Sequence, residues 1–541
     1  MKAFAIQEKK TSKRYYSIRT LSILFSMVLI LSFSVISFFA KINNRIQYES
    51  KIDIFNQNIN EIAFYFWTID ANISKMLLGL DEVTRAYLNG ENILKTKNKK
   101  IDDLMYYIKE NNSYLQNFGF KKYAYLITIL SDFWTEKEEI KVLLGKGSPQ
   151  NYLVILQNTN EKRPNGGFFG SFAFVTLDKA RITNLEIIDS YYPDYFAPEA
   201  RVPLHPWEKQ LFPLAKEGIG FIAGNKFGFT NLDGKNLKTL YEMSFNTHYD
   251  KNKLNKLINP RLHEKLLHKH IKGVIFVRLD LFTKYFPQLE KQSRERQFVN
   301  ANIDLIRGKV KKDKKEKYIK EANLFFQDNW KSIFKSIINN IDEIIQQRGI
   351  NIYLSNVSQN IQDNLKKHNL TTLFSSKNIY FWDTNIANNK ADMFMNKHIE
   401  VYDKFKVLKG ETENDILDIS MLLPGEYTIK IYYTFNISPG YTQYIQNLEK
   451  QYNITMTERE TSILGLSPSL YLSTNNIPRY WGTQSYIYFP KNITLKNIGH
   501  TVIQSHQIST PFAKVQKYQT FITNPHQTKV IEFKLIIPTS A

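Results

Sequence analysis

The residues best placed to do chemistry lie between positions 157 and 201. A polar loop, 157–165, carries one cation that cannot be neutralised, Arg163, followed by Pro164 and then by Gly166 and Gly167. Two carboxylates, Asp189 and Asp194, come after the next strand patterns. A guanidinium beside backbone that is free to turn or lie close, with acids nearby, suits an anionic ligand held at strand ends. Arg163, Asp189 and Asp194 are therefore the candidate catalytic residues. Asn158, Asn165, Gly166, Gly167, Ser171 and Arg201 are the candidate ligand contacts. The same residue types also fit a plain bulge with a solvated loop cation.

Three strands must position these side chains. An apolar, β-branched run at 152–156 reads as the first, and 168–177 resumes the strand pattern after the loop. Asp178-Lys179 makes a turn into a third strand at 182–188, which runs out at Asp189. Beyond it, Tyr191 to Asp194 and Pro203 to Trp207 form a long irregular segment of the kind that often serves as a lid or binding loop.

Gln157, Asn158, Glu161, Arg163, Pro164, Gly166, Gly167, Phe168, Gly170 and Ser171 spell the pattern Q-N-x-x-E-x-R-P-x-G-G-F-x-G-S. This resembles the signature of the bacterial and archaeal family known as domain of unknown function 4012. The run from Asp383-Thr384-Asn385 to Asn389-Lys390 resembles a second motif of that family, and Arg479-Tyr480 leading to 486–490 resembles its C-terminal region. Two positions depart from the pattern. Lys272 stands where relatives have an Asp before a Gly-Val-Ile strand, and 230–234 stands where they have an Asp-Phe-Pro element. The likeness names relatives and no reaction.

The order of elements is also similar to that of the LytR-CpsA-Psr phosphotransferases, which move glycopolymers from a polyprenyl-pyrophosphate carrier to an acceptor. That resemblance implies Arg163 on the pyrophosphate and Asp189 or Asp194 holding Mg²⁺ or a proton, with the metal neutralising charge on the leaving group. The Ser-Ile-Pro-Arg-Asp type of strand end that marks those enzymes is missing. After Asp189 the chain reads Ser190-Tyr191-Tyr192, and no arginine occurs before Arg201.

Composition sets the wider frame. The 541 residues suffice for two or three domains, and 43% hydrophobic content with 14% aromatics predicts a sizeable core. A net charge of +21 favours anionic partners. With no cysteine, disulfides, thiolate metal sites and cysteine nucleophiles are excluded. There is no P-loop, no G-x-G-x-x-G and no nucleic-acid fingerprint. His263-Glu264 with His268 falls short of a zinc-protease helix because the second His is one residue too far.

Residues 20–40 are uncharged and apolar, and at about 1.5 Å per residue they reach across a ~30 Å hydrocarbon core. Lys2, Lys9, Lys10, Lys13, Arg14 and Arg19 precede the run, which predicts a cytoplasmic N-terminus and an extracytoplasmic 41–541. No small-x-small cleavage site precedes Lys41, so an uncleaved signal anchor is expected. Residues 41–148 have helical periodicity and read as a stalk, hairpin or small bundle packing on the next domain. Residues 149–395 read as a central α/β domain, and 396–541 switches to the period-two pattern of a β-sandwich, read as Ig-like.

The expected architecture is thus a multidomain α+β chain: transmembrane helix, helical stalk, central α/β domain and C-terminal β-sandwich. Two functions suit it. One is a membrane-anchored, extracytoplasmic cell-envelope protein handling polyprenyl-linked glycopolymers in the manner of a phosphotransferase, with Mg²⁺. The other is a non-enzymatic envelope binding protein with a degenerate α/β domain. Its expected partners are the membrane, a polyprenyl-phosphate lipid or an anionic envelope glycopolymer, with no specific nucleic acid. The enzyme needs Arg163, Asp189 and Asp194 to converge on one pocket. The binder needs only a groove.

Overall fold

In the computed structural model the described residues are 78, 94, 100–110, 124–159, 162–213, 215, 217–247, 265–280, 340–385, 395–403, 407–409, 415–420, 422–435, 481–498, 505–522 and 527–539. The apolar run 20–40, the lysine-rich stretch 309–320 and His263-Glu264 lie outside them. Among the described residues no helix is long and apolar enough to cross a membrane.

Among the described residues, helices α1 (Lys100–Glu110), α2 (Ala124–Trp134) and α3 (Lys137–Leu143) precede the first sheet. Lys141 of α3 is buried, and it is tolerated there because Asp102 of α1 takes its ammonium on both carboxylate oxygens at 3.0 Å. The first sheet follows with β1 (Gln150–Asn158), β2 (Phe168–Asp178) and β3 (Arg181–Asp189). Lys179 and Ala180 both take positive φ in the turn between β2 and β3. Their amides donate to the carbonyls of Gly145 and Leu144, which ties the helical segment to the sheet.

Short helices α4 (Tyr192–Phe196) and α5 (Pro206–Leu211) break up the stretch read as irregular, and α6 (Thr230–Glu242) is the main helix of this region. Next come β4 (Ile271–Arg278), α7 (Ile341–Gln346), β5 (Ile350–Leu354) and α8 (Gln359–Lys367). The sheet order is β3-β2-β1-β4-β5. β1 pairs in parallel with β4, and the other pairings are antiparallel. Alternation along β1 explains the layers: Leu153 and Ile155 pack with Leu237, Leu240 and Tyr241 of α6, while Tyr152 belongs to the opposite face with Ala173 and Val175. Ile129 of α2 packs with Ile361 and Leu365 of α8, so the described part of the helical segment docks on this domain.

The remaining strands are β6 (Asn378–Asn385), β7 (Met395–Tyr402), β8 (Val407–Lys409), β9 (Ile416–Asp418), β10 (Gly425–Phe435), β11 (Trp481–Phe489), β12 (Thr494–Asn497), β13 (Ser505–Ser509), β14 (Lys514–Ile522) and β15 (Thr528–Ile537). They form two five-stranded antiparallel sheets, β12-β15-β10-β7-β8 and β13-β14-β11-β6-β9. Ile379 and Phe381 of β6 share one core with Ile399 of β7, Ile429 and Ile431 of β10, and Phe533 of β15, so the two sheets pack face to face. A boundary placed at 395 by the pattern separates β6 from its neighbours, because β6 hydrogen-bonds to β11 and belongs with the C-terminal sheets. Tyr380 and Trp382, on the other face of β6, pack with Phe229 and Leu211 of the central domain. The β6 sheet is therefore covered on both sides.

Candidate functional site

The signature loop leaves β1 after Asn158, whose register partner is Phe168 at the start of β2. Asp189 ends β3 opposite Ser171, and Arg278 ends β4 opposite Gln157. Pairing thus collects Asn158, Ser171, Asp189 and Arg278 at one end of the sheet, as strand order alone requires.

The loop itself is held from within. Gln157 is fully buried and its side-chain amide donates to the carbonyl of Asn165. Gly166 has φ +104, and a Cβ there would meet Gln157 Oε1 at 2.5 Å, so both the conformation and the space demand glycine. The carbonyl of Gly167 accepts from Asn225 Nδ2 at 2.7 Å, and Asn225 is fully buried. The side chain of Asn165 lies close enough to Asp233 to favour its charged form, but its Nδ2 makes no hydrogen bond.

Asp233 is the centre of this arrangement. It is buried near the start of α6 and accepts the amide protons of Phe227 on Oδ1 and Gly228 on Oδ2, both at 2.9 Å. Burial pushes its carboxyl up to about 8, against the pull of the two amides and of Asn165. The turn it fixes brings Gly228, at φ +80, onto the face of Trp382, and a Cβ at Gly228 would overlap the indole. Phe229 then enters a set of rings from the sandwich, 4.5 Å from Trp382, 5.0 Å from Tyr488 and 5.6 Å from Phe512 between centroids. Thr230 completes the seam, donating its amide to the carbonyl of Thr372 and accepting the Thr372 amide on Oγ1, each at 2.8 Å.

The loop also carries two cations, Lys162 and Arg163. The Arg163 guanidinium lies over the Phe168 ring, 5.3 Å from its centroid, with Nε and Nη1 shielded from solvent. Its charge reaches Tyr486 of β11, and that of Lys162 reaches Asp383 of β6. Both cations thus lie within electrostatic reach of β6 and β11.

The acids expected beside it have other duties. Asp194 Oδ1 accepts from Arg201 Nη1 and from the amide of Phe221, both at 2.8 Å, and Oδ2 accepts from the amide of Ile222 at 2.9 Å. Asp194 and Arg201 thus form one clasp that pins the 221–223 turn. Asp189 Oδ1 accepts the amide of Tyr191 at 3.0 Å, closing the strand end. Among the described residues no three His, Asp or Glu side chains come together as a metal site would require. The 203–212 segment is a strut and not a lid: Trp207 packs 5.6 Å from Phe512 and Phe212 packs 6.0 Å from Tyr486, and Lys517 donates to the Leu211 carbonyl at 3.0 Å.

Sequence reading missed Gln157 as a loop clasp, Asn225, Asp233 and Phe229. Their signal was a buried amide and a carboxylate near Gly228 and Gly234, which spacing alone does not distinguish from a solvated helix start.

Residues 147–227 match the family described as "Protein of unknown function (DUF4012)". The likeness to that family is confined to this stretch. The matched stretch contains β1 to β3, the signature loop, the Asp194–Arg201 clasp and Asn225, while Asp233 and the sandwich lie beyond it. No curated protein and no solved structure matches the chain.

Proposed function

We propose that this chain is a single-pass, membrane-anchored, extracytoplasmic envelope protein that binds a phosphate-bearing envelope ligand and does not transfer it. The observation that carries this reading is the state of Asp194. Both of its carboxylate oxygens are engaged by Arg201 and by two backbone amides. A carboxylate so occupied serves a turn, and releasing it for a cation would leave the Arg201 guanidinium half-buried without its partner. The burial of Arg163 Nε and Nη1 beside Phe168 supports the same reading. The net charge of +21 supports an anionic partner, either a polyprenyl phosphate or a phosphate-bearing glycopolymer. The basic N-terminus and the apolar run 20–40 support the anchor and its orientation.

The transferase reading keeps one favourable observation, the shared sheet end of Asp189, Ser171 and the signature loop. One experiment separates the two. Detergent-solubilised full-length protein is incubated with a polyprenyl-pyrophosphate-linked glycan and an acceptor, with Mg²⁺ or with chelator. Binding that persists in chelator, without release of polyprenyl phosphate, is the expected result. Magnesium-dependent release of the carrier would overturn the proposal in favour of the enzyme.

A further inference from the structure

A second group of reactive side chains sits inside the sandwich, away from the signature loop's own hydrogen bonds. Lys397 of β7 and Asp383 of β6 face each other across the two sheets, with Nζ 2.9 Å from Oδ2. Both side chains are almost fully buried, at 4% and 2% exposure. A third group, Asp415, places Oδ1 3.1 Å from the same Nζ and is 39% exposed, so it connects the pair to solvent. Strand register assembles the rest. Asp383 is opposite Ser485, which is opposite Tyr518, and Lys397 is opposite Tyr433. Tyr433 Oη donates to Asp383 Oδ1 at 2.8 Å and Ser485 Oγ donates to the same oxygen at 2.5 Å, while Tyr433 and Tyr518 hydroxyls meet at 3.0 Å.

We propose that this cluster is a self-modification site at which Lys397 and Asp383 condense to an intramolecular isopeptide bond. The division of labour follows from the contacts. Two hydroxyl donors converge on Oδ1, where negative charge develops when the carboxyl carbon is attacked. Oδ2, on the lysine side, is the oxygen placed to leave. Asp415 touches Nζ and carries protons between it and Oδ2. The ammonium has three hydrogens and the amide nitrogen keeps one. The nitrogen lone pair forms the new bond to Cγ, the Cγ–Oδ2 pair leaves with oxygen, and the two displaced protons complete one water molecule. No oxidant or co-reactant enters.

The environment sets the resting state of the pair. Burial works against the charge on Lys397, but the facing carboxylates of Asp383 and Asp415 outweigh it and hold the ammonium above the usual lysine range. Burial likewise opposes the charge on Asp383, which Lys397, Lys162 and Ser485 outweigh, keeping its carboxyl low. The two groups therefore rest as an ion pair, and a proton must pass from Nζ by way of Asp415 before the amine can attack. Fixed contact between amine and carboxyl supplies the proximity that free amino acids in water lack. In a chain without cysteine, this is the covalent link across the sandwich that its composition permits.

The test is peptide mapping of the denatured full-length protein by mass spectrometry. The expected result is a linked pair of peptides, one containing Asp383 and the other Lys397, lighter than their sum by one water, and absent in Lys397→Met. Complete recovery of the two peptides as separate species, from protein that shows a cooperative melt, would overturn the proposal. Asp415→Asn is expected to raise the unlinked fraction at early times after synthesis, and an Asp415→Asn protein linked as fast as wild type would overturn the role given to Asp415. Because the readout is made on denatured chains, a variant with a weakened fold still reports.

Discussion

Asp233 Oδ2 accepts the amide proton of Gly228 at 2.9 Å, five positions earlier in the chain, and by doing so holds that glycine against the indole of Trp382 in the sandwich. The signature loop comes near the same carboxylate at Asn165, and its Gly167 carbonyl accepts from Asn225 beside that turn. A motif that reads as a ligand loop is thereby part of the joint between two domains.

Gly228→Ala tests the tightness of that joint. Positive φ costs a non-glycine residue about 1–2 kcal/mol, and forcing a methyl onto a packed ring costs about 1–3 kcal/mol more. A loss of about 3 kcal/mol is expected in denaturant unfolding, against little change for an exposed control such as Leu423→Ala.

Asp233 gives the joint a pH dependence. Folded Asp233 keeps its proton up to about 8, whereas the unfolded chain releases it near the ordinary value of 3.8. Between these limits the folded state binds the extra proton, so stability from this group is complete at low pH and falls as pH rises, by about 1.4 kcal/mol per unit. Asp233→Asn should flatten that part of the stability–pH curve. An unchanged slope would show that other groups set it.

Much of this architecture is visible in the residues. Alternation and β-branched runs mark β1, β2 and β3 to within a few positions, because local pattern reports burial. Arg348, at φ +52 just before Gly349, follows the C-cap Gln347 of α7 and turns the chain into β5. The joint was not visible, because Asn165, Asp233 and Trp382 are far apart in sequence and are ordinary loop, helix-start and strand residues locally. Asp194 illustrates the same limit. Residue type and position near Arg163 fit a metal ligand, but its actual partners, Arg201 and the 221–223 amides, are set by a turn that sequence does not fix.

The clasp made by Asp194 has its own consequence. Asp194→Asn weakens the pairing with Arg201 and leaves two amides facing a poorer acceptor, with an expected cost of about 1–3 kcal/mol. Exchange protection of the 221–223 amides should fall with it, and magnesium should restore none of the lost stability.

A further acid-sensitive contact joins the helical segment to the central domain. Asp132 of α2 accepts from Lys367 at 2.6 Å and meets His368 Nε2 at 2.7 Å. Burial raises its carboxyl, but these two partners outweigh that and hold it below the usual aspartate range. Its contribution is present above the unfolded value and is lost as pH falls through the lowered folded value. Asp132→Asn should open the 124–143 region to protease at neutral pH, where wild type resists.

The most direct test of the joint is hydrogen exchange on the full-length protein with Asn165→Ala beside wild type. If the signature loop couples the domains, amides at 225–233 and in β6 and β11 should exchange faster in the variant, along with those of the loop. Faster exchange confined to 158–170, with 225–233 and the sandwich unchanged, would contradict the account and return the loop to the role of a ligand site.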